Sequence, residues 1–274
     1  MYKKIIWLFF WGGSFFATKL EAVRPFVTDD ARISDYGQLE LEMWPDWGYS
    51  SAGHTLGYNL MFGMSFTDFL QLITGSGINQ EIQGGDYYMH DWVIQPKLLF
   101  WEAKENGFPG FALALGTVIP LKMREVFRRN TGYFANGMLT TRLFKDWLLL
   151  HTNFGYVTAT EGVAPAYEKV YWGFGIDLGV YWSELRFIAE IFAGDPYEII
   201  GPTLANQTGF RYLYSDHINL DLTYGWQEEV DDTRRPIGRT TWWLQLGIRL
   251  LFDLFTKEGK PGNPLGAPGL LRFD

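Results

Sequence analysis

Four histidines and several close groups of acids are the first places to look for catalysis in this chain of 274 residues. His151-Thr152-Asn153 sets an imidazole beside a hydroxyl and an amide, a set that can activate a nucleophile when a serine stands within reach. The cluster has no serine, and the alternation of residues 148–156 turns His151 and Asn153 to the polar face. Glu228, Glu229, Asp231 and Asp232 with His54 or His90 could form an acid and histidine site, but the same composition describes a solvated loop. His54, His90, His151 and His217 lack the paired spacing of a metal site, so no metal or other cofactor is expected. With no cysteine in the chain, disulfides and thiolate chemistry drop out as well.

A second chemistry lies in ionisable residues that recur on one face of alternating segments. Glu40, Glu42, Asp91, Lys97, Arg142, Asp177, Arg186, Glu190, Arg211, Asp221 and Arg249 all fall opposite apolar positions. Arg186, Glu190, Arg211, Asp221 and Arg249 come from consecutive runs and mix both signs. Such neighbours can bridge one another and hold adjacent strands together. They can equally line a narrow aqueous path that selects what passes, and the sequence leaves both readings open.

The elements that carry these residues are strands, read from period-2 alternation. In residues 54–66, Leu56, Tyr58, Leu60, Phe62, Met64 and Phe66 share a face opposed by Gly57, Asn59, Gly63 and Ser65. In 170–182, Trp172, Phe174, Ile176 and Leu178 oppose Gly173, Gly175, Asp177 and Gly179. Runs at 38–44, 92–101, 148–156, 185–191, 218–224 and 240–252 alternate too, and less decisive ones lie near 69–76, 110–119, 133–143 and 205–214. The count is about 12 strands.

Four copies of one device close one run and open the next: Phe66-Thr67-Asp68-Phe69, Phe144-Lys145-Asp146-Trp147, Trp182-Ser183-Glu184-Leu185 and Tyr214-Ser215-Asp216-His217. Each reads as a tight turn bracketed by rings that favour a membrane interface. Short turns follow the even strands, near 67–68, 102–109, 145–146, 183–184 and 215–216. Longer polar loops follow the odd ones, near 45–54, 77–90, 120–132, 157–169, 194–203 and 227–239. Short periplasmic turns and longer extracellular loops are the pattern of an antiparallel transmembrane β-barrel, and both termini then lie on the periplasmic side.

Composition agrees once the leader is set aside. Aromatic residues make up 18% of the chain, with 31 glycines and a net charge of −8, a profile that argues against nucleic acid as a partner. Residues 1–22 read as a signal peptide: Lys3 and Lys4, an apolar stretch from Ile5 to Ala17, and Ala22 before the cut. Residues 23–36 then form a periplasmic segment or a small plug whose Asp29 and Asp30 meet lumenal arginines, 37–252 the barrel, and 253–274 a Gly/Pro-rich tail. That tail can hang free, fold into the lumen or contact a periplasmic partner.

So many charges would be costly in the dry core of a soluble protein, so the polar face is expected to line a wet lumen and the apolar face to meet lipid. Inward glycines, Gly57, Gly63, Gly116, Gly173, Gly175, Gly179, Gly209, Gly225 and Gly247, should widen the bore. Pro96 interrupts the run 92–101, and a bulge is the expected escape in a barrel with no free edge.

The opening Val23-Arg24-Pro25-Phe26-Val27-Thr28-Asp29-Asp30-Ala31, followed by Gly37-Gln38-Leu39-Glu40-Leu41-Glu42, resembles outer-membrane barrels described as MetA-pathway-of-phenol-degradation-like transporters. Asp91 with Lys97, Ala189-Glu190, Arg211-Tyr212 and Asp221-Leu222 are similar to that family too. The resemblance implies a bacterial outer-membrane channel or transporter, exported through the periplasm, that passively passes small solutes, hydrophobic or aromatic ones among them. Its implied partners are outer-membrane lipid and lipopolysaccharide, a small-molecule solute, and the barrel assembly machinery. One departure is that 22 residues follow Phe252 where such barrels usually end on an aromatic. The expected lumen or selectivity residues are Glu40, Asp91, Lys97, Arg142, Asp177, Arg186, Glu190, Arg211, Asp221 and Arg249, with no catalytic group. The alternatives are a structural or surface-interaction barrel with a closed lumen and, behind it, an outer-membrane hydrolase.

Overall fold

The computed structural model describes residues 26–51, 53–82, 87–89, 91–121, 131–159, 167–180, 184–197, 204–230 and 236–255. The predicted signal peptide, the tail beyond 255, Trp182 and Ser183 of the third turn, His90, Asp231 and Asp232 lie outside them.

The strands are β1 (Gln38–Ser50), β2 (Gly53–Thr67), β3 (Leu70–Glu81), β4 (Tyr87–Met89), β5 (Trp92–Trp101), β6 (Gly110–Ile119) and β7 (Gly132–Leu143). They continue with β8 (Leu148–Ala159), β9 (Tyr167–Gly179), β10 (Leu185–Ala193), β11 (Ala205–Ser215), β12 (Ile218–Val230) and β13 (Pro236–Asp253). Each pairs antiparallel with its neighbours, and β13 returns to β1, closing the sheet. The three-residue β4 only extends the β3 edge, so twelve strands make the wall. No helix among the described residues is long and apolar enough to cross a membrane, and spanning falls to wall strands of 9 to 18 residues, which meet or exceed the roughly 9–11 residues such a crossing needs.

Adjacent residues show which face meets water. Phe210 is 48% exposed and Arg211 1%; Leu222 is 47% exposed and Asp221 4%; Phe154 is 65% exposed and Asn153 3%. A soluble barrel would invert this order. The charges turn inward and the aliphatic and aromatic side chains turn out to where lipid lies, as the alternation predicted.

Two local expectations need correction. The polar stretches 45–54 and 227–239 are mostly strand: β1 and β2 are joined through residues 51–52 alone, and β12 and β13 through 231–235. Polarity there marks the end of the lipid layer, while the ladder continues into water. Pro96 carries no bulge. It pairs with Leu72 on β3, and on the β6 side Ile94↔Thr117 and Lys97↔Ala114 keep one register across the gap. An antiparallel residue sends its N–H and C=O to the same neighbour, so a proline costs one ladder and spares the other. The irregularity of this pairing sits instead between Leu99 and Trp101. Pro45, paired with Tyr58 on β2 inside an unshifted β1–β13 register, follows the same rule.

Gly37, at a φ of 76°, turns the chain from the lumen into β1. Its carbonyl accepts the N–H groups of Leu254 and Phe255, and its own N–H donates to Ser65. A side chain there would meet the Phe255 carbonyl oxygen at 2.4 Å, so this junction needs glycine.

Candidate functional site: a lumen filled by charge pairs and an N-terminal segment

From β9 to β1 the lumenal wall neutralises itself. The register sets Arg186 directly opposite Arg211, a repulsive pair on its own. Asp177 on β9 pairs with Arg186 and lies 3.6 Å from Arg211, and Arg211 also holds Asp221 at 2.7 Å. The sequence across β9–β12 is therefore acid, base, base, acid. Arg249 on β13 is ion-paired with Glu40 on β1, which also accepts from Gln71 at 2.8 Å. All of these basic groups are almost fully buried, which only close pairing makes tolerable.

Arg142 lies elsewhere than expected, and Asp91 stands far along the wall from Lys97. Arg142 pairs with Asp146 in the β7–β8 turn and donates to the Ala103 carbonyl at 3.3 Å, so it belongs to the rim at the short-turn end of the barrel. That turn holds Phe144, Lys145 and Asp146 at φ values of 53°, 55° and 69°, a run of left-handed residues that needs outside support. Arg142 supplies part of it, and Arg186 adds a 3.0 Å bond to the Asp146 carbonyl. Asp91 precedes β5 at its outer end, six residues and about 20 Å along the strand from Lys97. The two do not meet.

Lys97 and Glu190 instead hold residues 26–36, which lie inside the barrel. The Lys97 Nζ donates to both carboxylate oxygens of Asp29 at 3.1 Å and stands 3.6 Å from Asp30. Sequence reasoning directed Asp29 and Asp30 toward the lumenal arginines; the wall arginines already have acids, so Lys97 takes Asp29, and Asp30 pairs at 2.6 Å with Arg32 of the segment itself. Glu190 accepts the N–H groups of Val27 (3.1 Å) and Thr28 (2.8 Å), one on each oxygen. The Thr140 hydroxyl accepts the Ala31 N–H at 2.8 Å. The Asn153 carboxamide, oriented to fit its surroundings, accepts from the Asp29 N–H and donates to the Asp29 carbonyl, both at 2.7 Å. Ser34 links to Ser65 and Gln71, and Phe26 lies under the Arg211 guanidinium.

Two small cavities lie beside the segment. A cavity against β1–β3 and Lys97 has about 40 Å³ and another near His151 and Arg211 about 10 Å³. At about 10–15 Å³ per water, these hold a few waters and no organic solute. Several of the inward glycines do not widen the bore either. A methyl at Gly116 would lie 2.1 Å from the Phe134 ring, one at Gly225 2.2 Å from Trp243, and one at Gly173 2.4 Å from the Thr28 hydroxyl. They make room for large side chains and for the segment.

One part of the lumen is apolar. Val93, Val118, Phe134, Val157 and Tyr171, from β5 to β9, form a buried cluster on which Tyr197 packs. Tyr197 comes from beyond β10, meets the Phe134 ring edge-on at 5.5 Å and donates to Gln95 at 2.6 Å. Sequence reading missed this lid, because nothing local marks Tyr197 as inward. His151 is lumenal, as its alternation predicted. Its Nδ1 is 3.0 Å from the Thr140 hydroxyl, and its Nε2 has no hydrogen-bond partner among the described residues. The hydroxyl also accepts the Ala31 N–H, so Thr140 links His151 to the segment. Glu229 is spent on the Ser51 N–H and hydroxyl and on Thr241, while His54 stacks on Trp47.

Neither a protein-family model nor any curated protein sequence matches the chain. Solved structures do. The COG4313 outer membrane channel from Pseudomonas putida F1 is similar at 9% identity and a TM-score of 0.58, over 81% of this chain and 98% of that one. The NanC porin is similar at 13% identity and a TM-score of 0.53, over 76% of this chain and 98% of that one. At such identities the likeness is one of fold, and the fold this chain shares with them is a closed antiparallel barrel of the outer-membrane type.

Proposed function

We propose that this protein is a channel of the bacterial outer membrane for small hydrophobic or aromatic solutes, closed at rest by its own N-terminal segment. The observation that carries the reading is the apolar patch of Val93, Val118, Phe134, Val157 and Tyr171 beneath Tyr197. A hydrated lumen gains nothing from apolar lining, whereas a ligand that leaves water gains about 25 cal/mol for each Å² buried. The patch adjoins the place where the β5–β6 ladder loses its pairs at Gln95 and Pro96, which suits exit of an apolar solute through the wall. The fold shared with an outer membrane channel and a porin and the phenol-degradation-like opening of the sequence support the same reading. Export behind residues 1–22, insertion by the barrel assembly machinery and contact with lipopolysaccharide follow from that location.

The test uses liposomes containing the purified full chain and a full-chain variant, Thr28→Pro with Asp29→Ala and Asp30→Ala, whose segment loses the Thr28 N–H bond to Glu190 and both carboxylates beside Lys97. The wild type should pass little, and the variant should pass a small aromatic solute faster than a polar solute of equal size. Flux no greater than in empty vesicles from the variant would refute the channel and leave a structural barrel with a closed lumen. Equal rates for the two solutes would refute the aromatic preference.

A further inference from the structure

The wall holds the segment largely by its main chain. Glu190, Asn153 and Thr140, from β10, β8 and β7, between them bind the N–H groups of Val27, Thr28, Asp29 and Ala31 and the carbonyl of Asp29. Main-chain contacts of this kind recognise a peptide as such, and a carboxylate across two successive N–H groups is a charge-assisted, two-point grip. Sequence preference comes chiefly from the almost fully buried Lys97, which meets Asp29 and Asp30, with Phe26 under the Arg211 guanidinium as a second side-chain contact. The segment has no regular secondary structure and forms no ladder with the wall. It is built into the lumen as a ligand is built into a site.

We infer that the lumen is a receptor for an acidic peptide, occupied in cis by residues 26–32, and that a free peptide of the same chemistry can take the segment's place. The inference rests on the closed-lumen half of the proposed function and not on transport, so a barrel that binds peptide but passes no solute would keep it and lose the channel reading.

The probe is a fluorescently labelled peptide, Phe-Val-Thr-Asp-Asp-Ala-Arg, and the receptor is the full-chain variant Thr28→Pro/Asp29→Ala/Asp30→Ala. These substitutions lie outside every strand, and heat-modifiable migration on gels reports that the barrel is intact. Release of the segment is read by trypsin cleavage after Arg32, which should be protected in the wild type. The variant should be cleaved there and should bind the peptide saturably, while the wild type binds about tenfold less or not at all. A peptide with asparagines for both aspartates should bind about tenfold more weakly, a difference that Lys97→Met in the variant should erase. An uncleaved variant would show that these anchors do not hold the segment, and a cleaved variant without saturable peptide binding would show that the lumen is no receptor; either overturns the inference. A wall pair, Glu190→Gln with Asn153→Ala, provides the second check: trypsin should reach Arg32 there too, and continued protection would count equally against it.

Discussion

Two halves of the lumenal wall solve the same electrostatic problem differently. From β9 round to β1, each buried arginine meets a wall carboxylate: Arg186 and Arg211 share Asp177, Arg211 takes Asp221, and Arg249 takes Glu40. From β5 to β8 the polar wall groups Lys97, Thr140 and Asn153 are satisfied by the segment, beside an apolar patch with no charge to satisfy. The first half would remain neutralised if the segment left, and the second would not. Permanent wall chemistry thus sits on one side, and exchangeable contacts sit on the other, with Glu190 as the outpost of exchange on the charged side.

The sharpest way to break this contrast is on the permanent side. Arg211→Ala removes the cation between Asp177 and Asp221 and leaves two buried carboxylates with one arginine between them. The loss should approach the about 3–5 kcal/mol typical of breaking a buried pair, read as a lower temperature for conversion of the compact to the unfolded gel band. On the exchangeable side, Lys97→Met should leave that temperature nearly unchanged. Its effect should fall on the segment, raising trypsin cleavage after Arg32 by about tenfold or more, since one ion pair of about 1.4 kcal/mol already carries that factor. If Lys97→Met destabilises the barrel as much as Arg211→Ala does, the two halves are not different in kind.

This division also marks what could be read from sequence. The charged half was legible because strands in register obey period 2, and acid and base on consecutive strands meet through known pairing: Arg211↔Asp221 lie directly opposite. The exchangeable half was not. Lys97 and Asp29 are separated by 68 residues and Tyr197 and Gln95 by 102, and no strand register links either pair. Polar residues also misled where strands outrun the bilayer, as at Asp46 and Glu228, because alternation with water on both sides has no apolar face. The inward glycines misled for a related reason: a missing side chain reads as open space until the neighbour that fills it, Phe134 over Gly116, is known.

The smallest expected effect bears on the apolar patch. Pro96 faces outward on β5, and the ladder to β6 lacks the pairs that Gln95 and Pro96 would make with Gly116 and Leu115. Pro96→Val restores a donor in a strand whose register is already continuous, so the barrel should gain up to about 1 kcal/mol from one more ladder bond and keep its heat-modifiable migration. If apolar solutes leave through the wall beside Val93 and Val118, closing the ladder should lower their flux in the released variant about twofold to fivefold, within the factor that 1 kcal/mol supplies. Flux of a polar solute, which has no reason to enter lipid, should stay as it was. A Pro96→Val barrel that passes both solutes at unchanged rates would mean that the ladder gap is only the cost of a proline, and that whatever reaches the patch leaves along the bore.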